Sequence, residues 1–157
     1  MKDREDVKEA LLRMSSYCAS AERCRSEIQN KLEKRELSQD DIDYVLSFLQ
    51  KENFLNEERY ARAYVNDKYK FSKWGKRKIA QGLYLKGISQ EDIFTGLASI
   101  DEELYFDNLQ SILKVKKRTI KAATDYELNQ KLARFAMGRG FEYSDIVRFL
   151  SHLEDSY

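Results

Sequence analysis

Apolar residues recur three and four positions apart along the whole chain, the spacing of amphipathic helices. Alternating runs of β-branched residues with hairpin turns are absent. Val7, Leu11, Met14 and Cys18, with Leu12 beside them, predict a helix over residues 4–18. Ser20 then serves as a cap, with Arg23 rather than a carboxylate at the third helical position. The helix it starts, over 21–34, turns Ala21, Cys24, Ile28 and Leu32 inward. Ser38 caps a third helix over 39–52, with Asp41 in its first turn and a stripe of Ile42, Val45, Leu46 and Leu49.

The pattern then starts again. Asn56 caps a helix whose inward residues are Tyr60, Ala63, Tyr64 and Phe71. Ser72 opens the next, with Ile79 and Leu83 as its core pair and Gly87 as a left-handed stop. Ser89 caps a further helix carrying Ile93 and Leu97. Leu104, Phe106, Leu109, Leu113 and Ile120 predict a longer helix over 102–121. Thr124 or Asp125 caps one with Leu128, Leu132, Phe135 and Ala136, ended by Gly140. A last helix over 144–154 carries Ile146, Val147, Phe149 and Leu150.

These restarts are an internal repeat. Ile28, Leu32, Leu37, Ser38, Gln39, Asp41, Ile42 and Leu46 match Ile79, Leu83, Ile88, Ser89, Gln90, Asp92, Ile93 and Leu97 at a constant offset of 51. A looser copy follows 53 residues on, in Leu132, Arg139, Gly140, Phe141, Asp145, Ile146 and Leu150. A fixed period near 50 marks a repeat architecture, whose units bury their apolar faces only by stacking. The expectation is an all-α protein of three tandem three-helix repeats, over 1–52, 53–100 and 101–157, stacked into an elongated, curved solenoid.

Composition agrees with long helices: the 157 residues include no proline and only six glycines. The N-terminus is mixed in charge and lacks the apolar core of a signal peptide, and no apolar run is long enough for a bilayer. Cys18 and Cys24 fit no zinc spacing and suit a reducing compartment, so the expected location is the cytoplasm. The single histidine, His152, has no cysteine or carboxylate pair near it in sequence and reads as an exposed or packed residue. No metal and no cofactor is expected. No nucleophile pairs with a base, no Gly-rich phosphate loop is present, and the acidic pairs fall at helix starts. Catalysis is not expected.

Charge changes the picture more. The net charge is only +1, yet residues 68–124 hold twelve basic and six acidic residues, and both flanks lean acidic. Such asymmetry suits a polyanion or an acidic protein surface. On a helix starting at Ser72, Lys73 and Arg77 lie one turn apart, as do Trp74 and Lys78, opposite Ile79 and Leu83. Cations beside an indole can pair with phosphates or carboxylates while the ring takes a stacked base or an apolar group. The same pattern also describes a solvated basic face with Trp74 packed on a neighbouring unit. Lys114, Lys116, Lys117, Arg118 and Lys121 form a second basic run, with Lys114, Arg118 and Lys121 on one helix face. The candidate contact residues are Lys73, Trp74, Lys76, Arg77, Lys78, Lys86, Lys114, Lys117, Arg118 and Lys121. A stand-alone nucleic-acid-binding module is the competing reading, since short helices and tight turns suit helix-turn-helix geometry.

Three stretches carry a family resemblance. They are Phe54-Leu55-Asn56-Glu57-Glu58-Arg59-Tyr60-Ala61, Trp74-Gly75-Lys76-Arg77-Lys78-Ile79 and Leu83-Tyr84-Leu85-Lys86-Gly87-Ile88. With Arg25-Ser26-Glu27-Ile28 and Leu32-Glu33-Lys34-Arg35, they resemble the RecX family of bacterial recombinase regulators. The likeness runs from Ala10 to Leu150 and is weakest in the third copy. At Gly82 the chain departs from a position where the family commonly carries a carboxylate. The resemblance implies three tandem three-helix units and binding in the groove of the RecA recombinase filament. It also implies interference with filament extension, ATP hydrolysis and strand exchange. DNA is a further partner of some relatives. A monomer that does not engage membranes is expected.

Overall fold

The computed structural model describes the backbone of residues 4–155 and the side chains of residues 5–150. His152 therefore lies outside the residues whose side chains are described. Nine helices and no strand occur among the described residues: α1 (Arg4–Ser20), α2 (Arg25–Glu33), α3 (Gln39–Lys51), α4 (Glu57–Lys70), α5 (Lys76–Leu85), α6 (Gln90–Ala98), α7 (Glu102–Lys117), α8 (Asp125–Gly138) and α9 (Tyr143–Asp155).

Local caps set most helix starts. The Ser38 hydroxyl accepts the Asp41 amide, Asn56 accepts that of Arg59, and Ser89 that of Asp92. Asp101 and Thr124 do the same for Leu104 and Glu127. Each satisfies a helix-end donor that has no partner in its own helix. The second helix differs from expectation. The Ser20 hydroxyl donates to the Tyr17 carbonyl at 2.8 Å, and the Arg23 guanidinium reaches the same carbonyl while lying over the Tyr17 ring. These contacts close α1, so α2 starts later, and Ala21 is exposed. Cys24 becomes its cap position, with its amide donated to the Glu27 carboxylate at 3.0 Å.

The apolar repeat-matched positions are buried in every copy except at Leu97, which is half-buried where Leu46 and Leu150 are buried. Ile28, Ile79 and Leu132 are fully buried, as are Leu32 and Leu83. Leu37, Ile88 and Phe141, and Ile42, Ile93 and Ile146, are buried as well. The turn before the third helix of each copy has one left-handed residue: Glu36 (φ 61), Gly87 (φ 80) and Gly140 (φ 98).

The chain divides into two compact units, the first of residues 1–63 and 83–95, the second of 64–82 and 96–157. In the first, α1 and α2 pack on α3. Ala10, Met14 and Cys18 meet Ile28, Leu32, Leu37, Ile42, Val45, Leu46, Leu49 and Leu55 in one core. Arg59 ties its loops together, pairing with Glu22 and donating to the Asn53 and Phe54 carbonyls at 3.2 Å. In the second, α8 packs on both α7 and α9. Tyr105 lies 5.1 Å from Phe141, and the buried Asn108 amide donates to the Tyr69 carbonyl at 2.7 Å.

Several core expectations are corrected. In α4 the buried residues are Tyr60, Ala61, Val65 and Tyr69; Ala63 is exposed and Tyr64 half-buried. Phe71 is 80% exposed, because α4 ends at Lys70 and the residue leaves the helical stripe. Leu104 and Val147 lie at the core margin, more exposed than expected.

Candidate functional site

The basic segment is built around the end of α4. The Phe71 amide donates to the Asp67 carbonyl at 3.0 Å, and the Trp74 amide reaches back to the Lys68 carbonyl at 3.1 Å. Lys73 takes the left-handed slot of this closure, with φ 54. Residues 71–74 therefore belong to a helix stop, and α5 starts at Lys76 instead of Ser72. The expected one-turn spacing of Lys73 with Arg77 does not exist, because Lys73 is outside the helix.

The indole nevertheless meets the expected cation. Folding back over α4 brings the Trp74 ring centroid to 4.9 Å from the Lys68 ammonium, and Lys78 in the first turn of α5 lies at 4.4 Å. The half-buried indole thus has two ammonium groups close to its centre, at 4.9 and 4.4 Å, a cation–π cluster whose positive charge attracts anions. Lys68 is not among the expected contacts; it lies six residues before Trp74, in the last turn of α4.

The first turn of α5 has no acidic residue and three basic ones, against the sense of the helix dipole. Its amides are satisfied from distant residues. Gly75 donates to the Arg139 carbonyl at 2.7 Å, Lys76 to the Tyr105 hydroxyl at 2.8 Å and Arg77 to the Gly140 carbonyl at 3.0 Å. A side chain at Gly75 would collide with the Gly140 backbone. Burial pushes the Tyr105 phenol up to about 12.

The other expected residues separate into distinct settings. Lys76 pairs with Glu102 and lies over the Tyr105 ring at 5.0 Å, so it holds the fold of its own unit. Arg77 approaches Glu142 at 3.8 Å and stays largely exposed. Lys73 reaches the Ser111 hydroxyl at 3.4 Å. Lys86 belongs to the first unit, where its ammonium lies 3.8 Å from Glu27 and its carbonyl accepts the Ser26 hydroxyl. Because α7 stops at Lys117, Lys114, Arg118 and Lys121 do not share one helix face; Arg118 is the C-cap and Lys121 lies in the following connection. Lys114, Lys116 and Lys117 occupy the last turn of α7, where the dipole favours cations and offsets their mutual repulsion. Gly82 leaves room for the Tyr64 hydroxyl, which a side chain there would displace.

Among the described residues, no group of three or more histidine, cysteine or acidic side chains is placed to hold a metal, and no helix is long and apolar enough to cross a membrane. Burial raises both thiols, Cys18 and Cys24, above the ordinary range.

Tandem three-helix units, one of them carrying an indole with two ammonium groups close by, define an all-α helical-repeat protein. Comparison with known proteins is more specific. Residues 10–49, 56–97 and 102–150 match the family models described as the first, second and third three-helix domains of RecX. The chain is 32% identical over 133 residues to the regulatory protein RecX of Clostridium perfringens, covering 82% of this chain and 62% of that one. It is also 32% identical over 145 residues to its namesake from Clostridium acetobutylicum, covering 90% and 67%. The crystal structure of RecX from Lactobacillus salivarius has the same fold, with a TM-score of 0.84 at 20% identity over 96% of this chain. The chain belongs to the RecX family. It spans about six tenths of the length of the curated relatives it matches.

Proposed function

We propose that this chain regulates the RecA recombinase: it binds the recombinase filament and inhibits its ATPase, its extension and its strand exchange. Membership of a family whose relatives are named regulatory proteins supports the reading. The observation that carries it to particular residues is the Lys68–Trp74–Lys78 cluster. That cluster offers an aromatic plane and two cations to an acidic filament surface or to DNA phosphates. Lys73 and Arg77 extend it, whereas Lys76 is left out because Glu102 already holds its ammonium. The protein acts by occupancy, as a cytoplasmic monomer without a cofactor.

The test is RecA ATPase and strand exchange on single-stranded DNA with substoichiometric protein. The unsubstituted chain should slow both. A chain carrying Lys73→Glu, Arg77→Glu and Lys78→Glu should lose most of this effect while its helical circular dichroism is unchanged. Full inhibition by the triple variant would remove this surface from the mechanism. Strong binding to naked DNA that falls steeply with salt, together with no effect on the recombinase, would favour the nucleic-acid module instead.

A further inference from the structure

A depression of about 400 Å³ in the second unit lies between α7 and α8; it shares Lys73, but not Lys68, Trp74 or Lys78, with the surface proposed above. Its floor is apolar: Ile112, the 56%-exposed Val115 and the half-buried Phe135. Its rim is cationic. Lys116 and Arg139 each lie 5.0 Å from the centre of the Phe135 ring, and the Lys73 ammonium reaches in to Ser111. No carboxylate among the described residues forms an ion pair with these three cations, although other basic residues of the same unit have acidic partners. Three positive groups around an apolar floor favour a ligand carrying both negative charge and an apolar side chain.

We propose that this groove binds an acidic peptide segment of a partner protein, with an apolar side chain seated on Ile112 and Val115 and flanking carboxylates on Lys73, Lys116 and Arg139. Charge complementarity selects the sign of the ligand. The choice of peptide over nucleic acid rests on Phe135. Two cations lie 5.0 Å from the centre of that ring and compete with a base for its face, and the rest of the floor is aliphatic, which suits an apolar side chain better than a base. Arg139 suits a carboxylate because its guanidinium can donate two parallel hydrogen bonds.

The site goes beyond the recombinase reading and is tested without the recombinase. The probe is a fluorescein-labelled hexapeptide with a Leu-Phe pair between two Glu-Asp pairs, titrated with the full chain by fluorescence anisotropy. Saturable binding is expected, weakened at least tenfold when the Leu-Phe pair becomes Ser-Ser. Arg139→Glu and Val115→Asp should each weaken it at least tenfold; Val115→Asp alters an exposed position, so it remains informative if the arginine variant unfolds. Excess hexathymidylate should not displace the peptide. Absence of binding, equal binding of the serine peptide, unchanged binding by Val115→Asp, or ready displacement by hexathymidylate would each overturn the proposal.

Discussion

Glu36 holds the left-handed position that Gly87 and Gly140 fill in the other two repeats. A side chain with a Cβ is strained there, whereas glycine is not. Glu36→Gly should therefore raise stability by about 0.5–1 kcal/mol, net of the extra freedom glycine gives the unfolded chain, in urea unfolding. Tyr105 offers a second residue-scale test. Burial raises its phenol from 10 to about 12, so the folded state favours the neutral form. Its contribution is complete below pH 10 and is lost as pH climbs through 12. In alkaline unfolding titrations, the stability of the parent chain should fall across that window, and that of Tyr105→Phe should fall less. At neutral pH the same variant should be weaker by about 1–3 kcal/mol, because the Lys76 amide loses its acceptor.

Helices whose starts depend on neighbours in sequence were legible without coordinates. Ser38, Ser89 and Thr124 each accept an amide three residues ahead, and all three caps follow from residue type and spacing. Ser38→Ala, Ser89→Ala and Thr124→Ala should each cost about 1 kcal/mol, measured singly by thermal or urea unfolding. The repeat register was legible too, since buried Ile28, Ile79 and Leu132 recur at its period. The start of α5 was not. Ser72 resembles an ordinary cap, but the amides at the true start find their partners in Arg139, Tyr105 and Gly140. Sequence spacing has no means of showing such partners. The same limit hid the candidate site's composition: Lys68 joins Trp74 only because the chain folds back, and Lys76 leaves the site only because Glu102 lies beside it. The second helix failed for a related reason, as Ser20 and Arg23 turned back to Tyr17.

For the molecule as a whole, the uneven charge of a nearly neutral chain has two sources. Some cations close helices or pair within their own unit, as Lys114 and Lys117 in the last turn of α7 and Lys76 do. Others, in the Trp74 cluster and the Phe135 groove, gather around aromatic rings. Only the second kind is expected to meet a partner. The contact between Gly75 and Gly140 links residues far apart in sequence with no room for a side chain. Gly75→Ala should lower stability by about 3 kcal/mol in urea unfolding, from overpacking and the amide bonds it would break.

That contact also bears on biosynthesis. The opening turn of α5 leaves the ribosome long before Arg139 and Gly140 are translated, so its amides must stay hydrated or bind elsewhere in the meantime. The nascent polypeptide cannot complete the opening of α5 until Gly140 has been translated.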